Sequence, residues 1–388
     1  MPSQGVKRFA ALDSWRGLAA CMVAVYHFPA YSHVTPVALV RHAFLFVDFF
    51  FVLSGFVIAA NYYDRLLDGI SIRTFVWRRF GRLYPLHLAM LIVCIAYRAL
   101  QLVTHPNAVF GTRPPFSEPY ESAATIVANL TLTHALHAFD FVTWNAPSWS
   151  ISVEFYTYIA FALLLAASRR FMTAALILGM LACCASLFAL KGSIVAVTDF
   201  GLLRCLYGFG AGVLAWRIFN SFGGLHGTSF ELITGSMMFC FLAFSGETPS
   251  SLAAPLVFAL VLLAFAPQAG VVSRILLARP FLLLGTLSYS IYMTHFFLTA
   301  RMQTAAGLLG RLTGHSYFTQ DGRSSLLGRA LWQGDLWCAV YLAVVVITSY
   351  LTYKTIEAPA RAWFKAHSPR RSAGSVSRAM VETRDASG

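Results

Sequence analysis

Charge is what this sequence has least of. Asp, Glu, Lys and Arg together make up 12% of its 388 residues, and the mean hydropathy is +0.65. Soluble domains carry about 25% charge, so a water-exposed globular fold is excluded. Alternating apolar and polar runs of about ten residues are missing too, which excludes a transmembrane barrel. The seven cysteines, Cys21, Cys94, Cys183, Cys184, Cys205, Cys240 and Cys338, have no metal or haem spacing. All lie in apolar stretches, where they read as small buried side chains. The GxSxG turn of serine hydrolases is absent, so LSG at 53–55 and SWSIS at 148–152 leave Ser54 and Ser150 as packing or capping residues. No internal repeat relates one half of the chain to the other.

What is present instead is apolar length. A bilayer core about 30 Å thick takes about 20 apolar residues per helical span. Ten such stretches occur, near 12–30, 44–60, 83–103, 148–167, 171–190, 199–216, 230–246, 251–267, 281–300 and 334–353. Backbone hydrogen bonds in lipid must be satisfied within each span, so the expected fold is all-α, a polytopic membrane bundle of about ten transmembrane helices. Arg16 and His27 interrupt the first stretch and no small-residue cleavage site follows Phe28, so it is expected to remain as a span.

The net charge of +13 would suit nucleic acid, but the basic residues flank spans. With the N-terminus cytoplasmic, nineteen Lys and Arg fall inside and seven outside, and Arg16, Arg98 and Arg204 lie within spans. The positive-inside rule then places both termini in the cytoplasm, with no nucleic-acid partner. The outer loop 301–333, with Arg301, Arg311, Arg323 and Arg329, is the exception. One membrane unit is expected over 1–366, followed by a basic, small-residue-rich tail, 367–388, expected to be disordered beside anionic lipid. In the outer loop 104–147, SAATIVANLTLTHALHAF is half apolar and reads as a short re-entrant or interfacial helix within 120–137. Its His134 and His137 would hold a metal only if a carboxylate joined them, and loop histidines without metal are the simpler expectation.

Ionisable side chains inside spans are costly and face protein or water. In LDSWRGLAACMVAVYHF, Arg16 and His27 are eleven residues apart. At about 100° per residue they lie within about 20° of one helical stripe and about 16 Å apart along it, too far to touch. In the orientation above, His27, Asp48, Glu154 and His295 fall in one outer layer, from four different spans. A carboxylate that fixes the tautomer of a histidine makes it a general base toward a hydroxyl, and His27 with Glu154 or Asp48 would be such a pair. A polar cluster that only locks helices together accounts for these residues equally well. At the inner end, WRRFGRLYPLH sets Arg78, Arg79 and Arg82 just before the third span. Guanidinium forks suit phosphate oxygens, though a positive-inside flank is the simpler reading of the three alone. A coenzyme A thioester would unite the two ends, since a long pantetheine arm separates its phosphates from its acyl group.

In this order these residues resemble the acyltransferase-3 family of bacterial integral-membrane O-acyltransferases. The resemblance covers about 9–165 and 279–362 and rests on LDSWRGLAACMVAVYHF, VDFFFVLSGFVI, RRFGRLYPLHL, PSWSISVEFYTY, LLGTLSYSIYMTHF and IEAP. It implies a multi-pass protein of the bacterial inner membrane that moves an acyl group, usually acetyl from acetyl-CoA, to a hydroxyl of an envelope or exported glycan or a lipid-linked sugar. Arg16 and His27 fall on the family's essential Arg and His, Arg79 and Arg82 on its RxxR pair, and Glu154 on the acidic position of WSxSxE. Tyr289 and His295 fall on SYxxYxxH. The expected catalytic set is therefore His27 as base, Glu154 with Asp48 to orient it, and Arg16. The expected acyl-CoA set is Arg79, Arg82, Arg78 and Arg16. Trp149, Tyr289 and His295 are candidate substrate contacts, and no metal is expected.

Direct transfer and a covalent acyl-His27 both remain open. Expected partners are membrane lipid, the saccharide acceptor, and separate glycan-assembly or export proteins. The last follow because larger members continue into an esterase-like domain, whereas this chain stops about 30 residues past its last span. The middle spans, 171–267, match no motif and are the expected seat of acceptor specificity. The rival class is a transporter that uses buried His, Glu and Arg as a proton relay; the lack of a repeat with paired broken spans argues against it.

Overall fold

The computed structural model describes residues 7–104, 114–322 and 324–369. All ten apolar stretches are helical. In chain order the long helices are α1 (Ala10–Tyr26), α2 (Phe46–Leu67), α3 (Ile72–Thr104), α4 (Ser148–Ala167), α5 (Met172–Lys191), α6 (Gly201–Phe222), α7 (Thr228–Phe244), α8 (Ala254–Phe265), α9 (Arg279–Thr313) and α10 (Leu331–Thr352). Seven of them, α2 to α6 with α9 and α10, are long and apolar enough to cross a membrane. The other three are shorter: 17 residues in α1 and α7, and 12 in α8, which a 3-10 turn at Pro249–Ala253 precedes. The protein is a polytopic helical membrane protein. Its described strands form one antiparallel hairpin between α9 and α10, β1 (Phe318–Asp321) with β2 (Ser324–Leu327).

Two helices outrun their apolar stretches. Helix α3 starts at Ile72 rather than near 83, so Arg78, Arg79 and Arg82 ride on its first turns, and it continues through Pro85. Helix α9 passes Arg301 and Arg311 and stops only where Gly314 takes a left-handed φ of 70°, a conformation that costs glycine little. The guanidinium of Arg301 lies 3.5 Å from the centroid of the Tyr97 ring and 5.2 Å from that of Phe297. Within the first outer loop, Ala123–Leu130 is an eight-residue helix capped by Ser122, whose hydroxyl accepts the Thr125 N–H. At about 12 Å it is too short to span. Of the tail expected from 367, residues 370–388 lie outside the described residues, as does Arg323.

Helix α1 packs along α9, and α2 along α6. Small residues let the backbones meet. A Cβ on Gly17 would collide with the Leu284 backbone, one on Gly285 with Asp13, and one on Gly212 with Val52. The core between the helices is rich in phenylalanine, with Phe49, Phe51, Phe56, Phe75, Phe258 and Phe265 fully buried. Leucines of α5, such as Leu178 and Leu181, point outward, as a lipid-facing surface requires.

Candidate active site

Helix α1 carries Arg16 toward one end of the bundle and His27 to the other, and both reach α9. The Arg16 guanidinium donates to Ser288 Oγ at 2.8 Å and to the Gly285 carbonyl at 3.1 Å, and pairs with Asp13 at 3.0 Å. That reach is short because Gly285 lies at the glycine crossing. Ser288 is seven residues before His295 on α9, two turns or about 10 Å.

A cleft opens among α1, α2, α3, α4 and α9. One part of its wall is polar, with Arg16, Arg79, Arg82, Ser54, Glu154, Tyr158, Ser288 and Tyr289. There it adjoins a second hollow that shares Arg16 and Arg82 and adds Lys7, Arg8, Asp13 and Arg361. Cations therefore outnumber the acids around the joint opening. Arg79 is steadied by Tyr62, whose hydroxyl accepts from Nη2 at 3.2 Å. Tyr289 donates its hydroxyl to the Leu83 carbonyl at 2.5 Å.

The structure divides the acids differently from the sequence expectation. Glu154 sits on the arginine side, where it accepts hydroxyl hydrogen bonds from Ser54 at 2.6 Å and Tyr158 at 2.5 Å. Arg16 and Arg82 lie within its electrostatic reach. Asp48 is fully buried and held by Arg204, Nε to Oδ1 at 2.8 Å and Nη2 to Oδ2 at 2.7 Å. An arginine inside a span needs a counter-charge, so Asp48 belongs to Arg204. Neither carboxylate is hydrogen-bonded to His27, and the expected acid–imidazole pair is corrected on this point.

The partner of His27 is another histidine. His295, fully buried, has Nδ1 2.7 Å from the Tyr292 carbonyl and Nε2 3.2 Å from His27 Nδ1. His27 Nδ1 also lies 2.9 Å from the Val23 carbonyl. A carbonyl can only accept, so Nδ1 of each ring carries the proton. His295 Nε2 then offers a lone pair to His27, and His27 Nε2 is left unprotonated, with no hydrogen-bond partner among the described residues.

Other expected contacts fall elsewhere. Trp149 lies outside the cleft wall; its ring packs against Phe51 and beneath the Arg204 guanidinium, 5.5 Å away. Arg78 turns from the cleft and donates to Ser368 at 3.3 Å. His134 and His137 take separate partners. His134 stacks on His87 and contacts Ser148 Oγ at 3.1 Å, while His137 donates to the Asp199 carbonyl at 2.7 Å. Burial and the neighbouring His87 push the His134 imidazole down to about 4.

Tyr158, Ser288 and Tyr292 of the cleft wall escaped the sequence reading, and Ser54 and Ser150, expected only to pack or cap, line the cleft as well. Glu357 and Arg361 did too. Glu357 sits in a π-helical turn, Tyr353–Glu357, accepts from Ser290 Oγ at 2.8 Å and pairs with Arg361 at 3.0 Å. Such turns concentrate at functional sites, and the IEAP stretch was the available signal.

The sequence is similar to known proteins. A family model described as an acyltransferase domain, acyltransferase-3, matches residues 9–354. Protein 2 in the picA locus of Rhizobium radiobacter is 32% identical over 154 residues, which are 38% of this chain and 78% of that protein. The acyltransferase MdmB of Streptomyces mycarofaciens is 29% identical over 171 residues, 41% of this chain but only 37% of that relative. No solved structure matches.

Proposed function

The chain belongs to the acyltransferase-3 family, and from that premise we propose that it moves an acetyl group from cytoplasmic acetyl-CoA to a hydroxyl of an envelope or exported glycan or a lipid-linked sugar, in the bacterial inner membrane. The donor phosphates bind Arg79 and Arg82, with Arg16 farther in, and the pantetheine arm follows the hydroxyl-lined cleft toward His27. The acceptor hydroxyl comes from the outer side. Its oxygen attacks the thioester carbonyl while His27 Nε2 removes its proton. The new ester C–O bond replaces the C–S bond, and coenzyme A leaves as a thiolate that takes up a proton, restoring neutral His27.

The observation that carries this reading is the unpartnered, unprotonated Nε2 of His27, oriented through Nδ1 by His295. Neither His27 nor His295 lines the cleft, but Tyr292 of its wall stands against His295, and cationic groups line the cleft's arginine end, which suits a polyanionic donor. A proton-relay transporter leaves that end unexplained. The test is transfer of radiolabelled acetyl from acetyl-CoA to envelope glycan by membranes containing the protein, against membranes with His27→Ala. Label transfer that depends on His27 supports the proposal; equal labelling by both, or by neither, rejects it.

A further inference from the structure

The far end of the cleft differs in kind from the end that holds the arginines. Along α2 its wall runs from Val57 through Ser54 to Phe51, Phe50 and Val47, and the last three leave it apolar. Phe50 meets Tyr292 edge to face, with ring centroids 5.5 Å apart at 81°. Tyr292 in turn stands against the histidine pair: its ring is 5.8 Å from that of His295, and its carbonyl accepts the His295 Nδ1 proton. The Tyr292 hydroxyl lies 3.0 Å from Ser150 Oγ, which fixes the ring from its other end. Phe51 is 1% exposed and packed on Trp149, so it has nowhere to retreat. Phe50 alone of these rings is only partly buried.

We propose that Phe50, backed by Tyr292, sets the length of the acyl group this protein accepts and restricts it to short chains. The inference rests on the acyl-CoA reading above. Neither histidine lines the cleft itself, and Tyr292 is the wall residue that stands against His295, so an acyl group carried through the cleft toward His27 meets these two rings, and each added methylene must find room there. One methylene in a tight apolar site changes selectivity by about 10- to 200-fold. Tyr292 is tied at both ends, so Phe50 is the side whose volume decides the limit.

The test is calorimetric titration of purified, detergent-solubilised protein with acetyl-, butyryl- and hexanoyl-CoA, for wild type, Phe50→Leu and Phe50→Ala. Wild type is expected to bind acetyl-CoA at least tenfold more tightly than hexanoyl-CoA. That ratio should shrink in Phe50→Leu and fall to about threefold or less in Phe50→Ala. Phe50→Leu keeps the test valid if the alanine variant fails to fold. Equal affinities for all three donors in wild type, or an unchanged ratio in folded variants, overturns the inference and leaves the donor assignment standing. Binding of none of the three by wild type rejects the acyl-CoA reading itself.

Discussion

Nε2 of His295 lies 3.2 Å from Nδ1 of His27, across the seam between α1 and α9. The neutral imidazole of His295, together with the Val23 carbonyl, does for His27 what a carboxylate does in many acid–base pairs: the two accept from Nδ1–H and fix the tautomer. It adds no charge to a lipid-embedded site.

His295 is thereby a positioning residue. His27→Ala should lower turnover by about 10²- to 10⁴-fold, the contribution of a general base. His295→Ala should lower kcat by about 10- to 100-fold and leave KM for acyl-CoA within about twofold, because the His295 ring bonds to Tyr292 and His27 and to none of the arginines proposed to hold the donor phosphates. Steady-state kinetics on purified protein measures the split. A rise in KM with unchanged kcat would contradict it.

Asp48 and Arg204 are expected to support the fold. Asp48→Asn removes the counter-charge of a buried arginine and should cost about 3–5 kcal/mol, whereas Asp48→Leu combined with Arg204→Met should recover most of the loss. Thermal unfolding in detergent compares the variants. A single variant as stable as wild type would refute this role.

Arg78, Arg79 and Arg82 of α3 should separate in effect. Arg79→Ala and Arg82→Ala are each expected to weaken coenzyme A binding at least tenfold, with the loss masked at high salt. Arg78→Ala, whose side chain turns to Ser368, should change it less than twofold. Titration calorimetry at two salt concentrations checks both statements.

His134 predicts a pH dependence of stability. Folded, its imidazole is held at about 4, against 6.5 in the unfolded chain. Between these values the unfolded chain binds more protons, so the stabilisation is complete above about 6.5, is lost as pH falls, and levels off below about 4. The swing is about 3 kcal/mol. His134→Gln should lose this part of the difference in unfolding midpoint between pH 7.5 and 4.5.

The positions of the spans were legible because burial in lipid imposes a length and a composition on every helix. Their ends were less so. Hydropathy cannot see that α3 extends back through four arginines, or that α9 continues beyond Arg301, since helix propensity carries on where apolarity stops. The site was half legible. The spacing of Arg16 and His27 fixed two ends, but their side-chain partners on α9 are more than 250 positions away, and periodicity carries no record of such pairings. Arg204 shows what was recoverable: a lone arginine inside a span demands an acid, and Asp48 was available for it.

The contact of Gly17 with the α9 backbone has one more consequence. It pins α1 against α9 between Arg16 and the distant His27, so the two helices act as a vernier, two scales clamped at one mark. Inserting a single residue between Gly17 and His27 would rotate the imidazole by about 100° and lift it about 1.5 Å. His27 would then swing away from His295 while Arg16 stayed at Ser288. Every side chain of the site would still be present, yet the two ends of the reaction path would no longer share a line.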